Sequence, residues 1–150
     1  MFKRILMAYN GSRDGKSALI ACGELAAFTQ AQTHLLAVAG MPSGMVMSEG
    51  YPPEQMFDDE KKHAQQVLEE GLGQLRERGF IVTGHLAIGE PVAEICSLAR
   101  TLKADLIIVG HAQRASFAAR WWRGSVGKTL LDHAPCGIFI VPTGAQAARQ

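Results

Sequence analysis

Residues 104–142 read ADLIIVGHAQRASFAARWWRGSVGKTLLDHAPCGIFIVP, and this stretch decides the fold. Leu106 to Val109 is apolar without interruption and largely β-branched, which suits a strand covered by helices on both faces. The run stops at Gly110. A loop from His111 to Arg123 follows, carrying Arg114, Arg120 and Arg123 and no acidic residue, and Gly124-Ser125-Val126 then reads as a helix start with Ser125 at the N-cap. The apolar residues 137–141 form a last strand. A helix that begins beside the carboxyl end of a parallel strand turns unpaired N–H groups and its positive dipole end toward the crevice, where a phosphate is stabilised.

Working outward, the hydrophobic period alternates between strand and helix. Residues 2–9 are a first strand, 12–28 a helix with Ala18, Ala21, Cys22, Leu25 and Ala26 on one face, and 34–39 a second strand. Residues 40–53 fit neither period and read as a long loop, with Met41, Met45 and Met47 in it and Met56 just beyond. Flexible methionines suit an adaptable lid or partner surface, or gap filling over the core. The longest helix spans 54–78, with Phe57, Ala64, Val67, Leu68, Leu72 and Leu75 inward, and stops at Gly79. Residues 80–88 are the third strand, Pro91 opens a helix with Val92, Ile95, Leu98 and Leu102 inward, and 106–109 and 138–141 are the fourth and fifth strands. The predicted class is α/β, a five-stranded, mainly parallel, doubly wound sheet flanked by four helices, Rossmann-like in outline.

Composition sets the outer limits. With 150 residues, 47% of them hydrophobic, the chain can bury one core, so residues 1–150 are expected to form a single domain with 143–150 as a flexible tail. Net charge is +1 and the basic residues are interspersed with acidic ones, which gives nucleic-acid binding no electrostatic footprint. The start MFKRILMAYNG has too short an apolar run for a signal peptide, and no run approaches the roughly 20 residues of a membrane span, so a cytoplasmic protein without membrane contact is expected. Cys22, Cys96 and Cys136 form no CxxC pair and read as small buried hydrophobes.

Three blocks carry a family resemblance over nearly the whole chain. KRILMAYNGSRDGKSAL at 3–19, GEPVAEICSLARTLKADLIIVGH at 89–111 and RGSVGKTLLDHAPCGIFIVP at 123–142 resemble, in order and spacing, the universal stress protein family. The resemblance implies a single-domain member of that family, with a fold like that of the adenine nucleotide alpha hydrolases. It also implies a homodimer, and a cytoplasmic stress-response regulator. Some members bind ATP or AMP and others bind no nucleotide, so the expected cofactor is ATP or AMP, with or without Mg. The binding members carry Gly, two residues, Gly, nine residues, Gly, then Ser or Thr. Here Gly110 matches the first position, Gln113 stands at the second, and ten residues separate it from Gly124-Ser125. A Gln at that point either fills the pocket or offers its own amide donor. Asn10 matches the acidic residue placed toward the ribose, and hydrogen-bonds a hydroxyl without charge assistance. By the same resemblance Ala8 and Tyr9 flank the adenine, Val38 offers its backbone to it, and Gly124, Ser125 and Val126 hold the phosphates. His111 and Arg114, just past the fourth strand, are placed to meet phosphate charge, His111 in its protonated form; the alternative for His111 is that it simply caps the loop.

Other signals are weaker. Lys128 lies in the first turn of the helix begun by Ser125, where a cation opposes the dipole, and a bound anion would offset it, unless these long basic side chains simply lie in water. Trp121 and Trp122 suit either a base-stacking platform or a core or dimer contact. Gly11-Ser-Arg-Asp-Gly15-Lys16-Ser17 has three residues between its glycines where a P-loop needs four. The histidines, His34, His63, His85, His111 and His133, lie on separate elements, show no metal-ligand spacing and read mostly as surface or loop-end residues. No nucleophile elbow is present, so the chain does not read as an enzyme, and slow ATP hydrolysis lacks a recognisable water-positioning residue. The last strand, 137–141, is a natural edge for pairing with a second copy. Two functional readings follow: a regulator whose adenine-nucleotide crevice biases binding of a further protein partner, or a nucleotide-independent homodimeric interaction module.

Overall fold

The computed structural model describes residues 1–11, 13–40, 53–112 and 130–143. In chain order the elements are β1 (Arg4–Ala8), α1 (Arg13–Thr29), β2 (Gln32–Gly40), α2 (Pro53–Glu77), β3 (Val82–Gly89), α3 (Pro91–Leu102), β4 (Leu106–Ala112), α4 (Leu130–His133) and β5 (Gly137–Thr143). The strands lie in the order β3-β2-β1-β4-β5, and all four ladders are parallel. This is the doubly wound sheet that the alternating periods predict. Strand order reverses between β1 and β4, which pair from Ile5 with Leu106 to Ala8 with Val109.

The apolar runs of β1 and β4 have no solvated face because helices cover both sides. Ile5, Met7, Tyr9 and Ile108 point into a core shared with α1 and α2, while Leu6, Ala8, Ile107 and Val109 point into one shared with α3. Ile5, Leu6, Met7, Ile107, Ile108 and Val109 are wholly buried, each contributing about 1.5–3 kcal/mol of apolar transfer. Leu130 of α4 joins the α3 layer.

Helix ends are set by specific groups. The Glu90 carboxylate accepts from the backbone N–H of Val92 at 3.2 Å and of Ala93 at 2.7 Å, capping α3 with Pro91 in its first turn. At the other end Lys103 takes the left-handed conformation, φ 52°, and Ala104 N–H donates to the Ala99 carbonyl. Asp105 then fastens β4 to β1, accepting from Lys3 N–H at 2.7 Å and Arg4 N–H at 3.1 Å. After α2, Gly79 sits at φ +86° and Phe80 N–H donates to the Leu75 carbonyl. The third strand therefore begins at Val82, because Phe80 belongs to the helix ending and Ile81 is exposed. β4 and β5 run further toward their carboxyl ends than the apolar period marks, Ala112 pairing with Thr143, so Thr143 belongs to β5 and not to a tail. Residues 144–150 lie outside the described residues. Cys22 and Cys96 are buried as expected, and burial pushes the Cys22 thiol up to about 12; Cys136 is only half-buried. No helix among the described residues is long and apolar enough to cross a membrane.

Candidate functional site

In an open parallel sheet, ligands bind beyond the carboxyl ends of the strands where strand order reverses. Here that point lies beyond Ala8 of β1 and Val109 of β4, which are paired neighbours. The chain leaves β1 through Tyr9, whose N–H donates to the Leu36 carbonyl at 2.9 Å, then Asn10 and Gly11. Gly11 has φ +77°, a conformation that glycine takes without the Cβ clash, and α1 begins two residues later. On the other side Gly110, His111 and Ala112 carry β4 onward, paired with Val141, Pro142 and Thr143 of β5.

Alternation along the strand separates the two residues expected to flank a base. Ala8 faces the α3 layer and Tyr9 the α1/α2 layer. The Tyr9 ring is 3% exposed and lodged between two helices: a Cβ on Gly15 of α1 would come within 2.9 Å of it, and one on Gly71 of α2 within 2.8 Å. Its hydroxyl is buried without a hydrogen-bond partner among the described residues, and burial, then the charge of Glu70, pushes its pKa up to about 12. Asn10 is half-buried, its amide oxygen 3.2 Å from where a Gly15 Cβ would stand, so it lies against the first turn of α1. Val38 is half-buried on the α3 side of β2, in register with Ala87.

Lys16, in the string that partly matches a P-loop, forms an ion pair with Glu70 of α2 at 3.2 Å. Gly15 of that string is occupied with the close approach of Tyr9. The N-terminus of α3 already holds a carboxylate of its own chain, Glu90, so an anion in the crevice would be met elsewhere. Arg114, Gly124, Ser125 and Val126 lie outside the described residues, as do Gln113, Arg120, Trp121, Trp122, Arg123, Lys128 and the methionines at 41, 45 and 47. The described crevice thus brings together Ala8, Asn10, the backbone of Tyr9 and Gly110, and the Gly11 turn. These are hydrogen-bonding and shape-defining groups, suited to recognition.

One constellation escaped the sequence reading. His34 of β2 and His85 of β3 are not surface or loop-end residues; their rings are half-buried and in contact, His34 Nδ1 lying 3.0 Å from His85 Nε2. Burial lowers the pKa of both, and for His34 the charges of His85 and Arg4 lower it further. The two residues are far apart in sequence, and only the β2–β3 register brings them together. No group of three or more His, Cys, Asp or Glu side chains that could hold a metal occurs among the described residues.

Comparison with known proteins bears on the whole domain. The family model described as "Universal stress protein family" matches residues 1–142. Universal stress protein YxiE of Bacillus subtilis is 30% identical over 148 residues, covering 94% of this chain and 99% of that protein. Among solved structures, a universal stress protein family member from Burkholderia pseudomallei is 28% identical with a TM-score of 0.69, covering 94% of this chain and 96% of its own. An Arabidopsis thaliana family protein solved with AMP bound is 19% identical with a TM-score of 0.68, covering 97% and 94%.

Proposed function

Because the chain belongs to the universal stress protein family, we propose that it is a cytoplasmic stress-response regulator that takes up an adenine nucleotide, ATP or AMP, beyond the carboxyl ends of β1 and β4. The observation that carries this reading is the reversal of strand order at β1 and β4, with the Gly11 turn and Asn10 on one side and Gly110 on the other. The AMP-bound Arabidopsis relative supports the choice of ligand class. In this reading the Asn10 amide meets the ribose, the Val38 backbone the adenine, and Gly124, Ser125 and Val126 the phosphates, with His111 and Arg114 adding positive charge. If ATP is taken up with Mg, the ion would neutralise part of the phosphate charge in the crevice. Tyr9 contributes its backbone and the rigidity of its buried ring, not a stacking face. The role is recognition and signalling, not catalysis.

A nucleotide-independent interaction module is the second reading, favoured by Gln113 and by the ten-residue spacer before Gly124. Both readings share a homodimer formed through β5. That strand is a sheet edge, Phe139 is 46% exposed on it, and an open groove of about 610 Å³ lined by Phe2, Leu25, Ile138 and Phe139 runs beside it. An apolar edge of this kind is suited to burial against a second copy.

Acid extraction of the purified protein, followed by chromatography of the supernatant, tests the first reading. Adenine nucleotide in stoichiometric amount is expected from the native chain and none from Gly124→Asp, whose carboxylate would repel the phosphates. Extracts free of nucleotide, with no binding on re-addition, would favour the second reading.

A further inference from the structure

The His34–His85 contact has a protonation logic of its own. The two nitrogens are 3.0 Å apart, a hydrogen-bond distance, and each neutral imidazole offers one N–H and one lone pair. One ring therefore donates and the other accepts, across the ladder that holds the edge strand β3 to β2. A first added proton goes to an outward-facing nitrogen of the donor ring and leaves the N–H···N bond in place. A second must occupy the accepting lone pair: the bond is then lost, and two cations stand about 3 Å apart where Coulomb repulsion is strong.

Among the described residues, the surroundings do not offset those charges. The groups whose charge acts on His34 are His85 and Arg4 of β1, both unfavourable to a proton. On α3, the helix over this face, Glu90 is engaged with Val92 and Ala93, Glu94 lies against Gly89, and Arg100 donates to the His133 carbonyl at 2.9 Å. Just past that helix Lys103 is a cation, and the Asp105 carboxylate is engaged with Lys3 N–H and Arg4 N–H. On the two strands themselves the polar neighbours on the same face are Gln32 and Thr83, neither of which titrates.

We propose that His34 and His85 form an acid-sensitive clasp, holding β3 to β2 while they share a hydrogen bond and loosening that edge once both rings are protonated. β3 carries Gly89 and leads directly into the α3 cap, so loosening it frees the strand that positions this helix. Folding stability follows in sign. Both rings resist protonation more in the folded chain than in the unfolded one, so the stabilisation is complete above the ordinary histidine value of about 6.5 and declines as pH falls below it. Wherever the unfolded chain holds one proton more than the folded chain, each pH unit costs about tenfold in the folding equilibrium constant.

The test is an NMR titration of the imidazole nitrogens from pH 8 to 4, with hydrogen exchange of the β3 amides over the same range, on the native chain, His34→Gln and His85→Gln. In the native chain the pair is expected to titrate in two separated steps, with β3 protection falling at the second after correction for intrinsic exchange. In His34→Gln, His85 should titrate in one step displaced toward the ordinary value, and the acid-dependent fall in β3 protection should disappear. The nitrogen shifts of the native chain alone report whether one shared N–H is present, which keeps the test valid if either variant folds poorly. Independent single-step titrations of the two rings, or β3 protection that falls equally in the native chain and the variants, would overturn the proposal.

Discussion

The two faces of the sheet are built differently. Under α1 and α2 the contacts are tight enough that small residues are required: Gly15 and Gly71 admit the Tyr9 ring between them, and Gly84 of β3 admits Leu72, whose Cδ1 would lie 2.7 Å from an added Cβ. Under α3 the layer is aliphatic, built from Leu6, Ile95, Ile107 and Val109, and gives way at the β3 edge to the two histidines. Close interdigitation leaves little room for adjustment, whereas a half-buried polar margin responds to solution conditions. The difference teaches where each kind of behaviour belongs: rigidity on the α1/α2 face, under the exit of β1 toward the crevice, and titration on the α3 face.

Substitutions can break or sharpen that contrast, with urea unfolding as the measurement. Ile107 and Ile108 are neighbours in β4, both wholly buried, one on each face. Replacing either by Ala is expected to cost about 2–5 kcal/mol, Ile108→Ala toward the upper end because its interlocked surroundings collapse less readily. Equal costs would mean that the faces do not differ in packing. Gly71→Ala comes next: its Cβ would stand 2.8 Å from both Leu35 and Tyr9, so overpacking of about 1–3 kcal/mol should outweigh the gain in helix propensity. On the α3 side, Glu90→Ala removes the cap from two N–H groups and should cost about 1 kcal/mol. The smallest effect is favourable. Gly73, two residues beyond Gly71 in α2, would place a Cβ in open space, so Gly73→Ala should stabilise by about 0.5–1 kcal/mol. Opposite signs at Gly71 and Gly73 are the sharpest expression of the contrast, since the helix is the same and only the neighbours differ.

The fold was legible because burial on both faces leaves a strong mark on sequence. The run Leu106 to Val109, largely β-branched and ending at Gly110, suits a covered strand, and the helical stripe ending at Gly79 marked α2 to within a residue or two. Boundaries failed where local chemistry overrode period. Phe80 looks like the start of a strand, but its N–H closes the helix ending, and Glu90 is an uncommon N-cap that Pro91 announces only indirectly. At the candidate site, the crevice could be placed from the strand ends, but the opposed facing of Ala8 and Tyr9 depends on which helices cover each side. The histidine pair was illegible for a different reason. Contact between His34 and His85 depends on the β2–β3 register, in which Leu36 stands opposite His85 and His34 opposite Thr83, and one sequence carries no direct record of register. The available signal was two histidines inside otherwise apolar, alternating strands, where a polar side chain calls for a partner.

The central functional claim is that the crevice beyond β1 and β4 holds an adenine nucleotide. Thermal melting of the nucleotide-stripped chain with and without saturating ATP or AMP tests it most directly. At about 100 times the dissociation constant, binding stabilises the folded state by about 2.7 kcal/mol, which raises the melting temperature of a domain of this size by several degrees. A shift of that order, present in the native chain and absent in Gly124→Asp, is the predicted result; melting curves that superimpose at millimolar nucleotide would contradict the claim.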